Sequence, residues 1–101
     1  MAKGAEFAAA KIARHVNGER LWDRLMALGG FGATIRGGVN RQALSDEEVA
    51  ARAQLIRWGE ATGLAPSTDQ VANLFLAYTG SDSSLPPILV GSHIDSHWGN
   101  P

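Results

Sequence analysis

Three side chains able to bind metals or move protons, His93, Asp95 and His97, stand at every second position near the end of this 101-residue chain. In an extended backbone alternate side chains project to one side, so the spacing would gather two imidazoles and a carboxylate. A neutral imidazole nitrogen is a good ligand for zinc and its neighbours. A carboxylate beside it either joins the ion or hydrogen bonds to the imidazole from behind, setting its tautomer and raising its basicity. The same His-x-Asp pair also arises by chance with no function. Its placement favours chemistry: Ile88, Leu89 and Val90 follow Pro86-Pro87 as a short apolar run that stops at Gly91. Such a run reads as a strand buried on both faces of a parallel sheet, and open α/β sheets bind ligands beyond the carboxyl ends of their strands.

The elements that must position this cluster are legible upstream. Residues 5–16 are alanine-rich helix formers that gain little from burial. Asn17 can cap a helix from Glu19 to the Gly29-Gly30 pair, with Leu21, Leu25 and Leu28 on one face and Trp22 and Met26 flanking it as core residues. Between Gly29 and Asn40 five glycines mark a loop, and it lacks the Gly-Lys-Ser/Thr pattern of a phosphate cradle. Arg36 and Arg41 flank its second glycine pair; Arg41 either braces the loop or grips a substrate carboxylate in bidentate fashion. Ser45-Asp46-Glu47-Glu48 is a capping box. It opens a helix that places Val49, Ala53, Ile56 and Glu60 on one line and closes at Thr62-Gly63. Because adjacent helical positions fan out, the acidic trio suits the helix dipole better than paired-carboxylate catalysis. Ala65–Asp69 then reads as an edge strand limited by Pro66, and Val71–Tyr78 as a better strand. On that strand Asn73 would need hydrogen-bond partners for its amide or would contact substrate.

Three of these segments together carry a resemblance. Gly91-Ser92-His93-Ile94-Asp95 resembles the first metal-binding segment of the dinuclear zinc aminoacylase/carboxypeptidase-type metallopeptidase family. Within it the string is similar to the branch of allantoate amidohydrolases, N-carbamoyl-L-amino-acid hydrolases and β-ureidopropionases. Gly37-Gly38-Val39-Asn40-Arg41 resembles that branch's Gly-Gly-Val-x-Arg signature. Asp69-Gln70-Val71-Ala72-Asn73-Leu74 resembles its Asp-x-x-Gly-Asn-Leu segment, with Ala72 where the family usually has glycine.

The resemblance implies His93 as a metal ligand and Asp95 as the catalytic residue that orients it. His97 would be a further ligand, a substrate contact or a bystander. It implies a metal-dependent hydrolase acting on linear amide or ureido C–N bonds of small molecules, with zinc, or manganese, cobalt or nickel, as cofactor. The implied fold is a partial three-layer α/β/α catalytic domain of two or three helices and about three strands, truncated. Residues 1–16 would be a helical extension and 17–101 the N-terminal part of the catalytic domain. The family's bridging Asp, general-base Glu, remaining ligands and lid domain fall beyond this segment, so the isolated chain is expected to be inactive and its parent a homodimer. The residues around Trp98-Gly99-Asn100-Pro101 depart from the family's usual Pro and Gly-Gly pattern. Two other readings stand beside this one: a non-catalytic metal-binding or interaction module, and an aminoacylase- or dipeptidase-type substrate.

Composition narrows the classes. Nine basic and ten acidic residues leave a formal charge of −1, which gives nucleic acid or an anionic membrane nothing to bind. No cysteine is present, so neither a disulfide framework nor a thiolate metal site can form, and the cytoplasm is the expected compartment. The first 16 residues lack the apolar core of a secretory signal, and no run reaches the roughly 20 apolar residues that span a bilayer.

Overall fold

The computed structural model describes residues 2–97. Helix α1 spans Ala2–Ala13, α2 Gly18–Gly29 and α3 Asp46–Ala61, followed by strands β1, Ala65–Thr68, and β2, Leu74–Ala77. The caps expected from sequence form as local chemistry requires. Asn17 accepts from the Arg20 backbone N–H at 3.0 Å and Ser45 Oγ from that of Glu48 at 3.2 Å. Thr62-Gly63 closes α3 as a Schellman turn: the Gly63 N–H donates to Glu60 O and the Leu64 N–H to Gly59 O, with Gly63 at φ +84°.

Strands β1 and β2 form an antiparallel hairpin in which Ala65 faces Ala77 and Thr68 faces Leu74. The second strand is shorter than its apolar run suggested, because residues 69–73 turn. One Asp69 carboxylate oxygen accepts from the backbone N–H groups of Val71 and Asn73, and the other from the Asn73 side-chain amide at 2.8 Å. Asn73 is therefore an exposed turn residue and not a buried strand residue, its amide satisfied by a carboxylate four positions back. Ala72 holds φ +67°, a left-handed conformation that crowds a Cβ. This is the position where the resembling family usually carries glycine, and the backbone supplies the reason.

The hairpin packs on α3. Leu76 lies so close to Gly59 that a Cβ there would sit 2.9 Å from its Cδ2, so a glycine inside the helix marks the contact. This packing rotates the buried line of α3 away from the expected Val49–Ala53–Ile56–Glu60 line: Glu48, Ala51 and Gly59 are buried, and Val49 is exposed. Between α2 and α3 the Arg24 guanidinium lies 5.4 Å from the centre of the Trp58 ring.

Two expectations need correction. Ile88, Leu89 and Val90 form no strand; they are 94, 79 and 89% exposed, and the sheet of described residues has two antiparallel strands and no parallel pair. A buried strand needs hydrogen-bonded neighbours on both sides and cover on both faces, and no described element offers them. Among the described residues the fold is thus a small α/β arrangement of three helices and a hairpin. Leu21, Trp22, Leu25 and Met26 of α2, expected in a core, are about half exposed or more for the same want of an opposing surface. Among the described residues Ala51 is the one buried hydrophobic side chain, and the radius of gyration of 16.8 Å exceeds the roughly 13 Å of a compact 100-residue domain.

Replacing Ala72 by glycine should raise stability by about 1 kcal/mol, the scale of the left-handed penalty that a Cβ carries, read as a higher midpoint in urea. The Asn73 amide and the turn N–H groups hold the Asp69 carboxyl below its ordinary 3.8. A lowered native value means that the turn is fully supported above the unfolded value and loses that support as pH falls through the lowered one. The Val71 and Asn73 amide signals should therefore shift below pH 3.8, and not in Asp69→Asn.

Candidate functional site

A shallow depression between the start of α3 and the end of the described chain is lined by Gln42, Ala43, His93, Asp95, Ser96 and His97. One wall is set by the start of α3. There Ser45 Oγ donates to Gln42 O at 2.6 Å, and the Glu48 carboxylate accepts from the Leu44 N–H at 3.1 Å. The capping box is real but displaced: Glu48 reaches the residue before the cap, because the Ser45 N–H is already bonded to Gln42 O. Leu44 takes φ +66° to complete this turn. Glu48, 5% exposed, also pairs with Arg52 at 3.4 Å, so its charge is compensated.

The glycine-rich loop brings Arg41 to the same place. Ala33 and Val39 form an antiparallel bridge, Gly32 O accepts from the Asn40 N–H at 2.7 Å, and Gly37 turns at φ +85°. Gly32, also at φ +85°, tolerates no Cβ, which would collide with the Asn40 carbonyl. The loop thus returns Arg41 beside the end of α2. There Nη1 donates to Leu28 O and Phe31 O, each at 2.7 Å, while Nε donates to Ile94 O at 2.8 Å. Nε and Nη1 are committed to backbone carbonyls, and each bidentate fork for a carboxylate pairs Nη2 with one of them, so Arg41 has no free fork in this arrangement. Because α2 has no basic residue in its last turn, Arg41 brings positive charge to that helix end from elsewhere in the chain.

On the opposite wall the His93 ring Nδ1 lies 3.0 Å from Asp95 Oδ1 and 2.9 Å from Asp95 O. Both oxygens are acceptors, so in the neutral ring Nδ1 carries the proton and Nε2 keeps its lone pair. This suits a divalent ion that a histidine binds through Nε2 while a carboxylate holds the ring from behind. One nitrogen is not a closed site. Among the described residues no three His, Cys, Asp or Glu side chains are placed to hold an ion together. The alternation expected to align His93, Asp95 and His97 is broken because Asp95 stands at a bend and turns back to His93, although His97 still lines the depression. Asn73 is not among its lining residues. Trp98-Gly99-Asn100-Pro101 lies outside the described residues. Sequence reasoning missed Gln42 and Ser96, both of which line the site; the only signal was a hydroxyl one residue beyond Asp95.

No family model matches. An N-carbamoyl-L-amino-acid amidohydrolase of Rhizobium meliloti is 39% identical over 83 residues, which is 82% of this chain and 20% of that protein. One from Geobacillus stearothermophilus is 38% identical over 80% of this chain and 20% of its own. The crystal structure of a hydantoinase/carbamoylase family amidase from Burkholderia ambifaria superposes with a TM-score of 0.78 and 41% identity, over 79% of this chain and 20% of that one. The chain is homologous to the hydantoinase/carbamoylase amidases. It spans about a fifth of the length of these relatives. Among the described residues, no helix is long and apolar enough to cross a membrane.

Replacing Glu48 by alanine removes the acceptor for Leu44 and the partner of Arg52 and should destabilise the chain by about 1–3 kcal/mol, the usual cost of leaving a partly buried donor unpaired. Amide exchange at Leu44 should rise together with the loss in the unfolding midpoint, whereas Glu47→Ala on the exposed face should leave both unchanged.

Proposed function

We propose that this chain forms the first metal-ligating segment of a metal-dependent amidohydrolase cleaving linear C–N bonds in N-carbamoyl amino acids or similar small ureido and amide substrates. The observation that carries the reading is the His93–Asp95 pair, with Nδ1 facing the carboxylate and Nε2 left for a ligand. Homology to N-carbamoyl-L-amino-acid amidohydrolases supplies the substrate class. In this reading His93 would hold the ion, most simply zinc, and Asp95 would hold the His93 proton at Nδ1. A bound divalent ion supplies a Lewis acid for the scissile carbonyl and lowers the pKa of water. His97, which lines the same depression, would contact substrate or serve as a further ligand. The remaining donors and the general base would come from residues outside this segment, within a three-layer catalytic domain of a cytoplasmic homodimer, so the 101 residues alone bind metal without turnover.

A second reading, an interaction module, draws on the unpaired and exposed Ile88-Leu89-Val90 run beside the site. Calorimetry with zinc on the whole chain separates the two. Weak binding at one site that falls at least about tenfold in His93→Ala, with no hydrolysis of an N-carbamoyl-L-amino acid, supports the first reading. Zinc binding that ignores His93→Ala would discard it.

A further inference from the structure

We infer that Arg41 and Ser96 are positioning residues for the His93–Asp95 pair, an inference that rests on reading His93 as a metal ligand. The His93 side chain is 71% exposed, so packing does little to orient its ring. Its direction depends on the two Asp95 oxygens that face Nδ1. Asp95 is in turn gripped from both sides by one residue more than fifty positions away. On one side Arg41 Nε donates to Ile94 O at 2.8 Å; on the other, Ser96 Oγ accepts from the Arg41 N–H at 2.7 Å and the Ser96 N–H donates to Arg41 O at 2.6 Å. Two opposed bonds at Ser96 and one at Ile94 fix the backbone on either side of Asp95 in position and in rotation. Arg41 is itself anchored on Leu28 O and Phe31 O. The path therefore runs from the end of α2 through Arg41 and Asp95 to the imidazole. A group that orients a ligand from behind typically contributes tenfold to a hundredfold in metal affinity when the site is built around it.

The test uses the whole 101-residue chain with Ser96→Ala, Ser96→Thr and Arg41→Lys. Arg41→Lys keeps the charge and loses the planar fork; Ser96→Ala removes one acceptor and keeps the backbone bond. Zinc affinity is read by calorimetry, and the His93 tautomer by nitrogen NMR of the imidazole without metal. Ser96→Ala should weaken zinc about tenfold and turn a single Nδ1–H form into a mixture while the chain stays folded, its thermal midpoint lowered only by the unpaired Arg41 N–H, and Ser96→Thr should restore zinc affinity and tautomer. Wild-type zinc affinity and tautomer in both Ser96→Ala and Arg41→Lys would overturn the inference. If the wild-type chain binds no zinc, the metal reading fails by itself. The tautomer then decides: a mixture in the variants upholds the clamp, and an unchanged form refutes it.

Discussion

The guanidinium and backbone of Arg41 make the hydrogen bonds that, among the described residues, tie the end of α2 to residues 94–96. A buried or half-buried cation must recover in hydrogen bonds what it loses in hydration, and Arg41 does so on three carbonyls from two distant segments. Two of them lie at and just past the end of α2, where helical carbonyls lack intrahelical partners; the third precedes Asp95. One side chain thus completes a helix end and ties it to the candidate ligand. The loop that delivers it depends on Gly32, since any Cβ there would strike the Asn40 carbonyl.

Polar bonds and turns carry this organisation because apolar burial is sparse. Leu76 packs against Gly59 where the hairpin meets α3, Ala51 is the enclosed apolar side chain of the described residues, and Ile88, Leu89 and Val90 remain in water. Burying a side chain of that size is worth roughly 1.5–3 kcal/mol, so three such residues together represent a large unused driving force. The amidase structure from Burkholderia ambifaria, of which this chain spans about a fifth, matches 79% of this chain at a TM-score of 0.78. The layout of this segment therefore resembles that of the same segment within a much longer chain.

Backbone conformation links the turns to the site. Leu44 and Ala72 both hold positive φ with a side chain in place, and each is supported by a carboxylate collecting N–H groups: Glu48 on Leu44, and Asp69 on Val71 and Asn73. In both places an acidic residue offsets conformational strain by satisfying turn donors. The Glu48 turn shapes a wall of the depression, whereas the Asp69 turn only closes the hairpin.

What the sequence by itself determined is what lies within a few residues: the Asn17 and Ser45 caps, the Gly63 terminus, the three helices, and the proximity of His93 and Asp95. Each depends on hydrogen bonds spanning two to five positions, so residue types in order suffice. The same locality made homology legible, since the Gly-Gly-Val-x-Arg, Asp-x-x-Ala-Asn-Leu and Gly-Ser-His-Ile-Asp strings are short and ordered. Only tertiary structure decided which carbonyls Arg41 engages, that Ser96 is its partner, that α3 buries the face of Glu48 and Gly59, and that Ile88–Val90 pairs with nothing described. Those outcomes require segments from ten to fifty-five positions apart to meet, or a neighbouring strand to exist, and neither is encoded in the local pattern that names an element.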